Sequence, residues 1–212
     1  MDSNPAEYEV EFRCRFSKLD EAYRFLPFLQ ASLTRRMPWN STIYGLELFQ
    51  SGKLLRIGGV IENDKTRYYM TFKGPDIGKF CNIRLEIEQE LTDSATDSPV
   101  LRYLGGRASI KNKDEAAREL ELLGYHPFMS WSGVDIMGFY EPYSVKVKLM
   151  TDTILDYPYI VEIEKIAATE EEAYYCEKEL YELSRKLELQ ERIFREEPPQ
   201  LLYEKVFGPG AG

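Results

Sequence analysis

Histidine and cysteine are scarce: the 212 residues contain one His and three Cys. Cys14, Cys81 and Cys176 lie far apart, and no CxxC or Cys/His cluster exists. That excludes a Cys/His structural zinc site. An odd, dispersed set of thiols reads as reduced, partly buried cysteines of a cytosolic protein. Positive charge is in deficit, with 27 Lys+Arg against 36 Asp+Glu and a formal charge of −9. An acidic surface excludes nonspecific binding to nucleic acid or anionic membrane, which needs a cationic face. A polyanion site would have to be a local concentration of basic groups. No apolar run approaches the roughly 20 residues needed to span a bilayer. The opening MDSNPAEYEVEF has neither the basic nor the apolar region of a signal peptide. The expectation is a soluble cytoplasmic protein without nucleic-acid or membrane partners. What is plentiful is bulk: 15 Tyr, 11 Phe, 2 Trp and 43% hydrophobic residues. These are enough for a core, and the length suits one domain.

Residues 8–16 alternate with period two, placing Glu9, Glu11, Arg13 and Arg15 on one face and Val10, Phe12, Cys14 and Phe16 on the other. Ser17 is placed to cap a helix over 17–33 that Pro27 should kink or shorten. A loop carrying Arg35, Arg36, Pro38 and Trp39 should follow. Strands are expected at 42–49, 53–60, 66–73 and 82–91, with turns around Ser51-Gly52 and Asn63-Asp64. Polar residues 92–99 read as a loop, and a helix from Asn112 or Asp114 should stop at Gly124. Further strands are expected near 126–130, 134–140, 144–150 and 159–166. Thr169 and Glu172 form a capping box that opens a helix to about Leu189. The last stretch, 198–212, reads as short, with a flexible tail from about 205. The pattern is α+β, with about eight antiparallel strands and three helices in a single domain over 1–212.

Several strands carry charge on one face only. Arg67, Thr71 and Lys73 share a face, as do Arg84, Glu86, Glu88 and Glu90, then Lys146 and Lys148, then Glu162 and Glu164. Two arrangements satisfy this pattern. In one, an open antiparallel sheet has a solvated face crossed by ion pairs. In the other, the sheet closes with its charged face inward. In the closed case, carboxylates two apart on a strand suit a hard divalent cation, and neighbouring Arg and Lys suit phosphate.

Five pieces in order resemble the CYTH domain, the triphosphate tunnel metalloenzyme family. EVEFR (Glu9 to Arg13) is similar to its opening Glu-x-Glu-x-Lys. LLRI resembles its Leu-Arg strand, TFKGP its strand ending in Lys-Gly-Pro, and IRLEIE its Arg-x-Glu-x-Glu strand. Asp152 followed by Glu162 and Glu164 in YIVEIE resembles its late Asp … Glu-Ile-Glu. The pieces span nearly the whole chain. EYEVEF and LGYHP lean toward class IV adenylate cyclases within it. The resemblance implies a closed eight-stranded antiparallel β-barrel with flanking helices. It also implies that Glu9, Glu11, Glu86, Glu88, Glu162 and Glu164 hold Mg²⁺ or Mn²⁺. Arg13, Arg56, Lys73 and Arg84 would bind triphosphate oxygens, with Asp152 and Lys73 as catalytic candidates. The implied activity is metal-dependent conversion of ATP to cyclic AMP and pyrophosphate. A hydrolase of thiamine triphosphate or tripolyphosphate would use the same scaffold.

The chain departs from the family pattern at four positions. Its Lys-x-Arg pair falls here at about Gly133 and Asp135, and a carboxylate beside a triphosphate is repulsive. Gly58 stands where its Leu-Arg-x-Arg strand has the second basic residue. Arg13 replaces the lysine that closes the opening signature. Either Arg15, Arg35, Arg36, Lys111 or Lys146 compensates, or the chain is a non-catalytic module that binds a phosphate ligand. His126 reads as incidental, Cys14 as core, and Tyr68, Phe72, Phe139 and Tyr140 as packing. The apolar stripe Ala173, Cys176, Leu180, Leu183 and Leu187 reads as packing on the sheet before a homodimer surface.

Overall fold

The computed structural model describes residues 6–62, 65–94, 96–106, 109–151 and 159–208. In chain order the strands are β1 (Ala6–Phe16), β2 (Leu33–Tyr44), β3 (Leu54–Glu62), β4 (Lys65–Lys73), β5 (Asn82–Leu91), β6 (Thr96–Asp97), β7 (Ser109–Ile110), β8 (Pro127–Tyr140), β9 (Val145–Thr151), β10 (Tyr159–Ala167) and β11 (Ile193–Phe194). The helices are α1 (Leu19–Phe25), α2 (Leu29–Ser32), α3 (Leu46–Gln50), α4 (Pro99–Tyr103), α5 (Lys113–Leu122), α6 (Glu170–Lys186) and α7 (Pro198–Phe207). The hydrogen-bonded order is β10-β9-β8-β2-β3-β4-β5-β1-β11, and β10 also pairs with β1. Eight antiparallel strands therefore form a closed ladder, a β-barrel in an α+β fold, with β11 as an extra short partner of β1. Among the described residues no helix is long and apolar enough to cross a membrane.

The contacts define two compact units. Unit 1 comprises the residues up to Glu7 with Pro38–Asp76 and Arg84–Ser132, and unit 2 comprises Tyr8–Met37, Ile77–Ile83 and Gly133–Gly212. In unit 1, Leu55, Ile57, Met70, Phe72 and Ile87 pack one face of β3–β5 against α4 and α5, through Val100, Leu101, Ala116 and Leu120. Asn112 caps α5 by accepting from the Asp114 and Glu115 amides, and Gly124 ends it at φ 89°. In unit 2, Val10, Phe12, Cys14, Val147, Val161 and Ile163 pack against Ala173, Cys176, Leu180 and Leu183 of α6. The apolar stripe of α6 is thus core. Burial raises the Cys14 thiol well above its ordinary range. Among the four aromatics read as packing, Phe72 is buried and Tyr140 stacks on Phe28 at 4.1 Å, whereas Phe139 is exposed.

Several boundaries differ from the sequence reading. The segment read as one helix over 17–33 is two, α1 and α2, separated at Leu26–Phe28 around Pro27, and Ser17 makes no cap. The expected loop around Arg35, Arg36, Pro38 and Trp39 is strand β2. Three exposed residues, Thr34, Arg35 and Arg36, hide its alternation. The expected strand 42–49 ends at Tyr44, because Gly45 at φ 72° turns the chain into α3. The two strands expected at 126–130 and 134–140 are one strand, β8, continuous through Gly133. Further along β8, a Cβ on Gly138 would fall on the Ser32 carbonyl, so close backbone approach fixes that glycine. The expected loop 92–99 contains β6 and the first residue of α4. Helix α7 occupies 198–207, so the first residues of the tail expected from about 205 are helical. Asn63, Asp64 and Asp152 lie outside the described residues.

One carboxylate pins the segment between β4 and β5. Glu177 Oε1 accepts the backbone amides of Lys79, Phe80 and Cys81 at 2.6, 2.7 and 3.0 Å. Glu177→Ala strands three donors, which should cost about 2 kcal/mol. The melting temperature should fall by about 4–8 °C. Unaltered hydrogen exchange at the Cys81 amide would show that Glu177 does not hold this segment.

Candidate functional site

Each unit carries one charged strand face. In unit 2 the register sets Glu11 opposite Glu164 and Arg13 opposite Glu162 across β1–β10, then Glu162 opposite Lys148 and Glu164 opposite Lys146 across β10–β9. Residues directly opposite share a face, so the alternation in β1, β9 and β10 gathers these side chains. Arg13 is 2% exposed and holds three carboxylates. Its Nε donates to Glu162 at 2.8 Å, and its Nη2 donates to Glu197 at 3.0 Å and also to Glu11. Lys148 pairs with Glu162, and Lys146 with Glu164 at 2.8 Å.

Burial raises Glu11 well above the ordinary carboxyl range. Arg13 opposes that shift, while Glu162, Glu9 and Glu197 add to it. Burial likewise raises Glu164, reinforced by Glu9 and opposed by Lys146 and Lys148. Burial disfavours the charge on Lys148, yet Glu162, Asp135, Glu11 and Glu164 outweigh it and hold the ammonium protonated. Asp135, at the position of the expected arginine, therefore supports a lysine on the neighbouring strand.

In unit 1 the register of β2–β5 sets successive rows across the sheet. Leu54, Lys73 and Glu86 form one. Ile43, Arg56, Thr71 and Glu88 form the next. Ser41, Gly58, Tyr69 and Glu90 follow, then Trp39, Val60 and Arg67. Lys73 and Glu86 are both buried, 3.9 Å apart. Thr71 donates its hydroxyl to Glu88 at 2.9 Å, and Arg56 is half-buried beside Thr71. Arg84 is buried and spends Nη1 on the carbonyls of Gly52 and Gly74, at 3.1 and 3.3 Å.

The structure thus brings Glu9, Glu11, Arg13, Glu162 and Glu164 together in unit 2, and Arg56, Lys73, Glu86 and Glu88 onto one face in unit 1. Sequence reasoning missed Glu197, a ligand of Arg13. Its signal was present: Glu197, two prolines and Gln200 make a capping box with Pro at the first helical positions, which opens α7. Lys148 is visible by alternation, but its enclosure by Glu162, Asp135, Glu11 and Glu164 shows only in the structure.

The donors in unit 2 suit a hard divalent cation. They are carboxylate oxygens in excess over Arg13, Lys146 and Lys148. Glu11 Oε2 is buried without a hydrogen-bond partner among the described residues. Their spacing is not preset for a metal: among the described residues, no group of three or more His, Cys, Asp or Glu could hold one. A cation would therefore have to compete with Arg13, Lys146 and Lys148, which pair with Glu11, Glu162 and Glu164.

No family model matches the chain, and no curated protein matches it in sequence. Solved structures do. The PH1819 protein of Pyrococcus horikoshii OT3 superposes with TM-score 0.69 at 20% identity, over 93% of this chain and 99% of its own. A candidate adenylate cyclase from Vibrio parahaemolyticus gives TM-score 0.62 at 16% identity, over 92% and 98%. A candidate adenylyl cyclase from Hippeastrum, described with a dominant triphosphatase activity, gives 0.51 at 14% identity, over 86% and 88%. The chain has the fold these proteins share over nearly its whole length, the fold that its resemblance to a CYTH domain implies.

Proposed function

We propose that the chain works as one CYTH-like domain that binds a small-molecule triphosphate and acts on it with a divalent metal. The proposed reaction is that of a class IV adenylate cyclase, ATP to cyclic AMP and pyrophosphate. The observation that carries this reading is the buried charge: Arg13 enclosed by Glu11, Glu162 and Glu197, and Lys73 buried beside Glu86. Packing alone does not call for such groups, and burying them costs several kcal/mol per ion. A cytosolic location completes the proposal, since Cys14, Cys81 and Cys176 are all free thiols.

In unit 2, Glu9, Glu11, Glu162 and Glu164 would hold Mg²⁺ or Mn²⁺. When bound, the ion would neutralise phosphate charge and polarise a phosphoryl oxygen. In unit 1, Lys73 and Arg56 bind phosphate oxygens, and the Thr71–Glu88 hydrogen bond ties β4, which carries Lys73, to β5. Arg84 supports the same strands through its two carbonyl contacts. Asp152 is kept as a catalytic candidate. Cyclisation requires the ribose 3′-hydroxyl to be turned toward the α-phosphorus, with pyrophosphate leaving. Positioning and charge neutralisation supply most of the rate in such a transfer.

Two other readings have their own observations. A hydrolase, placing water against the γ-phosphorus, is favoured by the triphosphatase activity described for the Hippeastrum structure. A non-catalytic module is favoured by Gly133 and Asp135, where the family's basic pair is absent. Ion-exchange analysis of products after incubation with ATP and Mg²⁺ or Mn²⁺ separates the three. Cyclic AMP with pyrophosphate establishes the cyclase, ADP with phosphate the hydrolase, and binding without product the module.

Lys73→Ala removes a charged contact of roughly 1.5–3 kcal/mol. It should weaken triphosphate binding by about 10- to 150-fold. Equal affinity in calorimetry would mean that Lys73 does not meet the ligand.

A further inference from the structure

Ser41 and Trp39 in unit 1 each bury a polar atom that makes no hydrogen bond among the described residues. These are the hydroxyl of Ser41, which is 4% exposed, and the indole Nε1 of Trp39. Buried polar atoms are almost always satisfied, so two on one face call for a reason. Trp39 and Ser41 are two apart on β2 and thus project to the same side of the sheet as Arg56 and Lys73. Between them and the basic rows stands Gly58. A Cβ there would meet only the Asn40 carbonyl oxygen, at 3.5 Å, so the space in front of Gly58 is open. By contrast, a Cβ on Gly59, which projects to the other side, would press on Asn40 and Tyr68. Tyr69 lies opposite Gly58, and Trp131 packs edge-on against Trp39 with ring centroids 5.6 Å apart.

We propose that Trp39, Ser41, Gly58, Tyr69 and Trp131 form a subsite for a flat heteroaromatic ring carried by the triphosphate. This rests on the triphosphate reading above and narrows it to ring-bearing esters over inorganic tripolyphosphate. An indole N–H only donates, so the ring must offer an acceptor, a ring nitrogen or carbonyl oxygen, to Trp39. The Ser41 hydroxyl either donates or accepts and supplies a second edge contact. The distance agrees: Arg56 and Val60, which faces Trp39, are four residues apart on β3, or about 13 Å. A side chain at position 58 would close this space. The glycine that replaces the family's second basic residue thus exchanges a phosphate contact for room.

Both tryptophans of the chain belong to this subsite, so intrinsic fluorescence reports on it directly. ATP should change the emission on binding, and inorganic tripolyphosphate at equal occupancy should not. Gly58→Val, whose Cβ meets only the Asn40 carbonyl oxygen at an ordinary contact distance, should lower the preference for ATP over tripolyphosphate by about tenfold or more. Trp39→Phe keeps a ring but loses the donor and should lower that preference by about three- to tenfold. If ATP displaces tripolyphosphate but leaves the emission unchanged, or if Gly58→Val leaves the preference unaltered, the ring subsite is wrong and the triphosphate reading stands. If neither ligand binds in calorimetry, the triphosphate reading falls and the subsite with it.

Discussion

Replacing Arg13 with Ala should lower the melting temperature by about 6–20 °C. The guanidinium is 2% exposed and bonded to Glu11, Glu162 and Glu197. Its charge is held firmly: burial opposes it, but Glu11, Glu197, Glu162 and Glu9 together outweigh that cost. Without it, the carboxylates are left buried against one another, and removing one partner of such a group costs about 3–5 kcal/mol. For a chain of this size each kcal/mol moves the midpoint by about 2–4 °C. Arg13→Lys should recover only part of the loss, because a point charge on a flexible stem cannot serve three carboxylates as a planar fork does. The defect should also shrink at low pH, where the stranded carboxylates take up protons. A melting temperature within 2 °C of the parent at pH 8, followed by circular dichroism, would contradict this account of the cluster.

How much of this was legible in the sequence depends on which force shaped each element. Strand β5 was readable to the residue, because Ile83, Leu85, Ile87 and Leu91 alternate with Arg84, Glu86, Glu88 and Glu90, and Ile87 and Leu91 are buried in the core that holds α4 and α5. The start of α5 and its stop at Gly124 were readable from capping chemistry alone. Strand β2 was not. Only its second half is laddered to β3, from Trp39 to Ile43, and its exposed arginines and Pro38 read as loop chemistry. Tertiary pairing overrode local preference there. The charged faces were visible as alternation, but partner choice was not. Nothing local shows that Asp135 acts on Lys148, or that Glu197, 184 residues from Arg13, bonds to it. Trp39 and Ser41 escaped for the same reason, since an unsatisfied donor shows only once its surroundings exist.

Replacing both Glu9 and Glu11 with Gln should abolish metal-dependent turnover while leaving the fold intact. Mg²⁺ and Mn²⁺ take oxygen donors and favour carboxylates, and a neutral amide supplies an oxygen without the charge that holds the ion. The fold should survive because Glu11 already leans toward its neutral form. Burial raises it, and Glu162, Glu9 and Glu197 raise it further against the pull of Arg13. In Glu11→Gln the side-chain amide keeps an oxygen for the Arg13 donor. The sign of the pH effect follows from the same shift. With its folded-state value raised above the unfolded one, Glu11 keeps its proton in the folded protein over a range where the unfolded chain releases it. Stability is greatest below the unfolded value and falls as pH rises toward the folded one. Glu164, raised mainly by burial, acts in the same direction. The parent should therefore lose melting temperature as pH rises above the ordinary carboxyl range, and the double variant should lose less. Added Mg²⁺ or Mn²⁺ should reverse the loss in the parent alone, because an ion that binds only the folded carboxylates stabilises it by mass action. Thermal melts across pH with and without the ion give that comparison independently of turnover. Unchanged metal-dependent product formation in the double variant, or an equal shift by the ion in both proteins, would remove Glu9 and Glu11 from the metal site.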